Sequence, residues 1–170
     1  MVVWIIGLSG AGKTTVAQEL RSQIISNGRP CILLDGDVVR AILGDDLGHT
    51  IDDRRKNADR ICRMCAYLDS QGVNVVCAIL SIFHESQDWN RSHIEDYFEV
   101  FLDAPLDMVM QRDTKGIYAR AKAGEANNVV GVDIEFPRPA SPNLTLPNNF
   151  TTSPEELAAS IFEKIEHKLS

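Results

Sequence analysis

Residues 2–15 have the sequence VVWIIGLSGAGKTT, and this stretch decides the fold. Its first part, VVWII (2–6), is a short run rich in β-branched residues that ends at Gly7. Such a run is typical of a strand buried on both faces of a parallel sheet. The second part satisfies the pattern G-x-x-x-x-G-K-[ST] between that strand and a following helix. The sequence therefore predicts a loop that binds the phosphates of a nucleoside triphosphate.

The residue types of this loop fit that chemistry. Glycines let the backbone curl, so that several N–H groups converge on phosphate oxygens at the positive end of a helix. Lys13 adds a mobile cation for the β- and γ-phosphates, and the Thr14 hydroxyl is a hard oxygen ligand for Mg²⁺. The predicted nucleotide-binding residues are Gly10, Ala11, Gly12, Lys13, Thr14 and Thr15.

Beyond this loop, short apolar runs alternate with segments of helical periodicity. This alternation predicts an α/β protein of the P-loop NTPase fold, with a mainly parallel sheet flanked by helices. A capping box, Ser153-Pro154-Glu155-Glu156, marks the start of the last helix. The predicted strands are 2–6, 31–34, 73–80 and 98–102, and the predicted helices are 13–25, 53–70, one after Pro105 and one from Ser153 to about Lys168.

Two stretches lack such periodicity. The chain is polar and punctuated by glycine from Thr114 to Asp133, and rich in Pro and Asn over 136–149. These compositions predict loops, with a mobile lid at about 113–133. No internal repeat or long linker divides the chain, so we expect a single domain over residues 1–170.

Composition and charge exclude several classes of partner. The 170 residues include 24 acidic and 17 basic side chains, for a net charge of −7. This balance argues against a general nucleic-acid or anionic-membrane surface, and no apolar run approaches the roughly 20 residues that span a bilayer. Without a secretory signal, we expect a cytoplasmic protein with four free thiols. Those thiols belong to Cys31, Cys62, Cys65 and Cys77, and the Cys62-x-x-Cys65 pair is assigned to core packing.

Charged groups downstream suggest a catalytic site. Asp35 and Asp37 flank Gly36 where the second strand ends, the place where open α/β sheets bind ligands. The two carboxylates could bind Mg²⁺ and accept a proton from an attacking hydroxyl. The alternative interpretation of the same residues is a solvated Asp-Gly turn. The arginines between residues 40 and 63 either bind phosphate or sulfate oxygens or solvate a helix face.

The chain length and the other motifs in the sequence indicate which class of nucleotide-binding protein this is. The chain has no N-K-x-D guanine motif, which argues against a small GTPase, and it is too short for a large motor or transporter ATPase. A small kinase that acts on a metabolite fits best. Lys115, within Arg112-Asp113-Thr114-Lys115-Gly116, is placed to bring a cation over the transferring phosphoryl group.

The sequence resembles adenylylsulfate (APS) kinases, which use ATP to phosphorylate the ribose 3′-hydroxyl of adenosine 5′-phosphosulfate. The resemblance covers about residues 2–146. Its motifs, in order, are GLSGAGKTT (7–15), LDGDVVR (34–40), DLG (46–48), DRRKN (53–57), FEVFLDAPL (98–106), RDTKGIYARAKAGE (112–125), GVD (131–133) and PASPNL (139–144).

This resemblance implies roles for individual residues. ATP and Mg²⁺ would be held by the phosphate loop, with Thr14 and Asp35 at the metal. Asp37 would orient or deprotonate the 3′-hydroxyl, and Ser81 matches a serine described in such kinases as a phosphoserine intermediate. Because in-line transfer needs only positioning and charge neutralisation, we expect no covalent step at Ser81. The implied catalytic residues are Lys13, Asp35, Asp37, Ser81 and Lys115, and the implied substrate-binding residues are Asp37, Arg40, His49, Arg54, Asn57, Leu80, Ser81, Lys115 and Val129.

The chain departs from the family pattern around the acceptor base. His49 and Val129 stand where the family has two aromatic residues that sandwich adenine, and Ser86-Gln87 replaces an Asp-Arg pair. Three functions stay open: an APS kinase with an altered pocket, the same 3′-phosphorylation of a cytidine diphosphate derivative such as CDP-phosphoramidate in capsule modification, or a non-catalytic ATP-binding module. Related kinases are commonly dimers, and the apolar stripe of the 53–70 helix either supplies a homodimer interface or faces the core.

Overall fold

The computed structural model describes residues 1–170. Its strands are β1 (Val2–Ile6), β2 (Cys31–Asp35), β3 (Asn74–Ile79), β4 (Tyr97–Asp103) and β5 (Leu144–Pro147). They form one sheet in the order β2-β3-β1-β4-β5, and every neighbouring pair is parallel. The predicted α/β fold is therefore confirmed, and the bounds of the four predicted strands differ by at most one residue from those observed.

Seven α-helices flank the sheet. They are α1 (Lys13–Ser26), α2 (Gly36–Ile42), α3 (Ile51–Ser70), α4 (His84–His93), α5 (Leu106–Arg112), α6 (Ile117–Lys122) and α7 (Pro154–Ile165), followed by a 3₁₀ turn at Glu166–Lys168. The capping box of α7 forms as predicted, since the Ser153 hydroxyl accepts from the Glu156 N–H and the Glu156 carboxylate accepts from the Ser153 N–H. The sequence prediction of a helix as far as Lys168 is corrected, because the α-helical part ends at Ile165.

The prediction of loop over 136–149 is wrong for β5. This strand pairs only with β4, and its residues alternate between half-buried and exposed. Leu144 and Leu146 pack against the core, while Pro147 ends the strand at an edge of the sheet, where a residue without an N–H is tolerated. The stretch predicted as a lid is likewise not entirely loop, because it contains α6.

Two hydrophobic layers cover the sheet. On one face α1 and α7 pack against side chains such as Val3 and Ile5, and on the other α3 packs against Trp4 and Ile6. All five residues of β1 are fully buried, because β1 lies in the centre of the sheet between these layers. A third apolar cluster, which includes Leu8, Tyr118 and Val129, lies beneath the carboxyl ends of the strands and connects the phosphate loop with the lid segment.

The apolar stripe of α3 faces the core. Ile61, Cys62 and Cys65 are buried against β1 and β3, which leaves this stripe unavailable as an interface. All four cysteines are buried and unpaired, as predicted. Burial raises the pKa of Cys31 to about 11 and that of Cys62 to about 12, so both thiols stay protonated near neutral pH. None of the helices is both long and apolar enough to cross a membrane.

Candidate active site

The phosphate loop joins β1 to α1 and has the backbone that a phosphate cradle needs. Gly10 and Gly12 have φ of +78° and +88°, a left-handed region that glycine enters without steric cost. Ala11 is completely buried, and its carbonyl accepts a hydrogen bond of 2.9 Å from the side-chain amide of Asn148. Thr14 and Thr15 are exposed on the first turn of α1, which follows this loop directly.

Lys13 folds back over this loop. Its Nζ donates a hydrogen bond of 2.7 Å to the carbonyl of Leu8. Burial lowers the pKa of Lys13 from 10.5 to about 8, and the nearby charge of Lys115 lowers it further, while Asp35 and Asp37 act in the opposite direction. Lys13 is therefore a desolvated cation whose charged form an incoming phosphate would stabilise.

Asp35 and Thr14 meet at the carboxyl end of β2. The Asp35 carboxylate caps α2 by accepting from the Asp37 N–H at 2.9 Å, and its other oxygen accepts from the Thr14 hydroxyl at 2.6 Å. The Asp35-Gly36-Asp37 stretch is therefore the beginning of a helix rather than a solvated turn, and this helix was missed because Asp-Gly signals a turn in sequence.

This donor set fits Mg²⁺. Thr14 and Asp35 present hard oxygens beside the phosphate loop, and Mg²⁺ commonly binds one or two protein oxygens together with substrate phosphates. The structure contains no group of three or more His, Cys, Asp or Glu side chains that could hold a metal ion by themselves. A Mg²⁺ ion at this site would therefore depend on nucleotide oxygens for most of its coordination.

The lid segment reaches the acidic pair through Lys115. The Lys115 Nζ lies 3.3 Å from Asp37 Oδ2, and both side chains are more than half exposed. Tyr118 on α6 anchors this segment, since its hydroxyl donates a 2.9 Å hydrogen bond to the carbonyl of Ser9 in the phosphate loop. Lys13, Asp35, Asp37 and Lys115 are thus brought together as the sequence predicted.

Two arginines line a small cavity of about 70 Å³ between α2, α3 and the end of β3. Arg40 donates to the carbonyls of Leu47 and Gly48, and its buried Nε has no partner. Burial lowers the pKa of Arg54, and the neighbouring charge of Arg40 adds to this effect. The predicted substrate-binding residues in its wall are Asp37, Arg40, Arg54, Asn57, Leu80 and Ser81.

The remaining predicted acceptor residues lie outside this wall. His49 is exposed, and its carbonyl accepts a 2.9 Å hydrogen bond from Arg54. Val129 is 6% exposed and packs in the apolar cluster that contains Phe83 and Tyr118, so it presents no open face. Ser81, which is part of the wall, lies two residues after β3, and its hydroxyl oxygen accepts a hydrogen bond of 3.3 Å from the indole N–H of Trp4.

Some residues at this site were missed from the sequence. Asn148 supports the phosphate loop, and its only sequence signal is a polar residue directly after a strand too short to recognise.

A larger cavity, of about 520 Å³, lies between the end of β4 and residues 131–138. None of the predicted site residues lines this cavity.

This sheet order, together with a phosphate loop between β1 and α1 and a lysine-bearing lid segment beside Asp37, defines a P-loop kinase. The family model for adenylylsulphate kinase matches residues 1–147. The chain therefore belongs to the adenylylsulphate kinase family, whose members are ATP-dependent kinases that act on a hydroxyl group and use Mg²⁺.

Individual relatives are similar to this chain over nearly their whole length. The adenylyl-sulfate kinase of Halothermothrix orenii is 38% identical over 168 residues, covering 99% of this chain and 90% of that one. The cytidine diphosphoramidate kinase of Campylobacter jejuni is 35% identical over 167 residues, covering 96% and 95%. The Mycobacterium tuberculosis APS kinase, solved with AMPPNP and APS, superimposes with a TM-score of 0.91 at 35% identity, covering 97% and 96%.

Proposed function

We propose that this protein transfers the γ-phosphoryl group of ATP to the ribose 3′-hydroxyl of adenosine 5′-phosphosulfate, giving 3′-phosphoadenosine 5′-phosphosulfate and ADP. The observation that carries the proposal is the cavity with Arg40 and Arg54, next to Asp37 and the phosphate loop. The unpartnered buried Nε of Arg40 is a donor that lacks an acceptor, and an anionic group of the substrate would supply one.

In this proposal the protein acts mainly by positioning and by charge neutralisation. The phosphate loop and Lys13 bind the β- and γ-phosphates, and Thr14 and Asp35 are the protein groups that would hold Mg²⁺. When bound, Mg²⁺ neutralises charge that develops on the phosphate oxygens. Asp37 orients the 3′-hydroxyl and accepts its proton as the oxygen attacks the γ-phosphorus, and the bond to the β–γ bridging oxygen breaks to release ADP.

Lys115 and the lid complete the site in this proposal. Lys115 leaves its exposed contact with Asp37 and binds the γ-phosphate, which frees the carboxylate for the acceptor hydroxyl. Residues 113–133 would move as a lid, and the contacts that such a movement would change include the hydrogen bonds from Tyr118 to Ser9 and from Arg54 to Asn128.

A second candidate function is the same 3′-phosphorylation of a cytidine diphosphate derivative. His49 and Val129 replace two aromatic residues of the family pattern, and the loss of such stacking removes about 1–3 kcal/mol per base. A pyrimidine has a smaller face, so it would lose less than adenine. The similarity to the cytidine diphosphoramidate kinase adds weight to this candidate, whereas most of the named relatives are adenylyl-sulfate kinases.

The deciding experiment measures ADP release in a coupled assay with APS and with CDP-phosphoramidate as acceptors, side by side. Turnover of APS at micromolar concentration supports the first function. Turnover of the cytidine compound alone replaces it with the second. No ADP from either acceptor, with ATP binding intact by calorimetry, would indicate a non-catalytic ATP-binding module.

Three further properties belong to this proposal. We place the protein in the cytoplasm, a reducing compartment that suits its four unpaired thiols. We expect it to fold as one domain, since one continuous sheet runs through the whole chain. Light scattering tests whether the protein forms a homodimer, whose interface would have to lie away from the buried stripe of α3.

A further inference from the structure

Ser81 has an unusual backbone conformation at the edge of the acceptor cavity. Its φ is +46°, in the left-handed region that residues with a Cβ rarely adopt. It lies two residues after the end of β3, and the cavity wall includes Leu80, Ser81 and Ile82. A strained residue of this kind persists only where its surroundings hold it, and such residues cluster at functional sites.

Two side chains hold Ser81 from the core side. The indole N–H of Trp4 donates to Ser81 Oγ at 3.3 Å. The Gln87 side-chain amide donates to the same Oγ and to the Ser81 carbonyl, both at 3.4 Å. A carbonyl only accepts, so the NH₂ end of Gln87 must face Ser81, and an indole N–H only donates. Ser81 Oγ is therefore an acceptor in both contacts.

Gln87 is a buried polar side chain whose hydrogen bonds are those to Ser81. Gln87 is 1% exposed and Trp4 is fully buried, and burying a side-chain amide is unfavourable unless it is hydrogen-bonded. The bonds that the Gln87 NH₂ group makes are those to Ser81. This glutamine stands where the family pattern has the arginine of an Asp-Arg pair, so the contact belongs to this chain's own sequence.

We propose that Gln87, together with Trp4, is a positioning residue for the acceptor. It fixes Ser81 in the left-handed conformation and so sets the direction of the peptide groups on either side, in the part of the wall that Leu80, Ser81 and Ile82 contribute to the cavity with Arg40 and Arg54. This inference rests on the proposed function for the identity of the acceptor. It also gives Ser81 a supporting role, because an oxygen that accepts from two donors has both lone pairs engaged and is a poor nucleophile.

The test compares the KM values of the two substrates. Gln87→Met keeps the length and volume of the side chain and removes the NH₂ donor. We expect KM for APS to rise about tenfold, because the wall relaxes from its strained conformation, while KM for ATP changes by less than about twofold. Gln71→Leu, a change at an exposed glutamine at the end of α3, is the matched control and should leave both values unchanged. An unchanged KM for APS in Gln87→Met overturns the proposal.

A second experiment, in the Ser81→Gly variant, distinguishes a positioning role of Gln87 from a general disturbance of the core. Glycine adopts a left-handed φ without strain. In the Ser81→Gly background, Gln87→Met should therefore raise KM for APS by only about twofold, whereas a merely structural role predicts the same tenfold effect in both backgrounds. If Gln87→Met fails to fold, Trp4→Phe removes the other donor and leaves a smaller aromatic ring in its place, and the same rise in KM for APS alone is expected.

Failure of the proposed function can be recognised separately. If the wild-type protein does not turn over APS, the proposed acceptor is wrong. The inference is then decided by a crystal structure of the Gln87→Met variant. A residue 81 that has left the left-handed region supports it, and an unchanged left-handed Ser81 overturns it.

Discussion

Lys13 is expected to take up a proton when ATP binds at mildly alkaline pH. In the unliganded protein its pKa is lowered to about 8, first by burial and then by Lys115. Lys13 is therefore mostly neutral at about pH 8.5. The phosphates of ATP favour the charged form, so binding must draw a proton from the buffer, and ATP affinity should fall as the pH rises above 8.

The size of this uptake follows from the pKa. A group with a pKa near 8 is about 75% deprotonated at pH 8.5 and about 10% deprotonated at pH 7, so binding should take up about 0.75 and about 0.1 proton per ATP, respectively. Isothermal titration calorimetry in two buffers of different ionisation enthalpy measures these numbers directly. Excess Mg²⁺ keeps the protonation of the nucleotide itself constant between the two pH values.

Two variants that each remove a positive charge test whether Lys13 is the group that takes up the proton. Lys115→Gln removes a neighbouring positive charge, so the pKa of unliganded Lys13 rises and the uptake at pH 8.5 becomes smaller. Lys164→Gln removes an exposed charge on α7 and should leave the uptake unchanged. A binding enthalpy at pH 8.5 that does not depend on the buffer would refute this account of Lys13.

Three other outcomes are expected. Asp37→Asn should abolish phosphoryl transfer while the calorimetric Kd for ATP changes little, and normal turnover would contradict its role as proton acceptor. Gly10→Ala should weaken ATP binding about tenfold because of its positive φ, whereas Gly28→Ala, with the same φ of +78° far from the loop, should lower only the Tm. Ser153→Ala should cost about 1 kcal/mol in chemical denaturation through loss of the α7 cap, while Ser160→Ala, inside the same helix, should not destabilise.

The part of the site that we propose binds ATP, the phosphoryl donor, was predictable because its sequence signals are local. One strand, one glycine pattern and one helix lie within residues 2–26, and each residue's role depends on its immediate neighbours. Lys13 and Thr14 were identified in this way. Asp35 and Asp37 were identified because the ends of parallel strands lie along one edge of a sheet, although helix α2, which Asp35 caps, was not.

The part of the site that we propose binds the acceptor nucleotide was harder to predict from the sequence. β5 has four residues with only weak alternation, so its tertiary pairing with β4 outweighs its local pattern. The contact between Trp4 and Ser81 joins residues 77 positions apart, and no periodicity encodes it. Gln87 appeared only as a departure from a family pattern, because its burial depends on the tertiary packing of α4, which lies against α3.

Arg54 has a consequence for any redesign of the acceptor. Its guanidinium donates to the carbonyl of His49 and to that of Asn128, which precedes Val129 in the lid segment. The two segments that we propose flank the base are thereby fastened to one side chain. Both acceptors are backbone carbonyls, so exchange of the side chains in either segment leaves these two hydrogen bonds in place. A change of base preference can therefore be sought by side-chain substitutions within residues 46–49 and 128–133, whereas loss of the Arg54 guanidinium would release both segments at once.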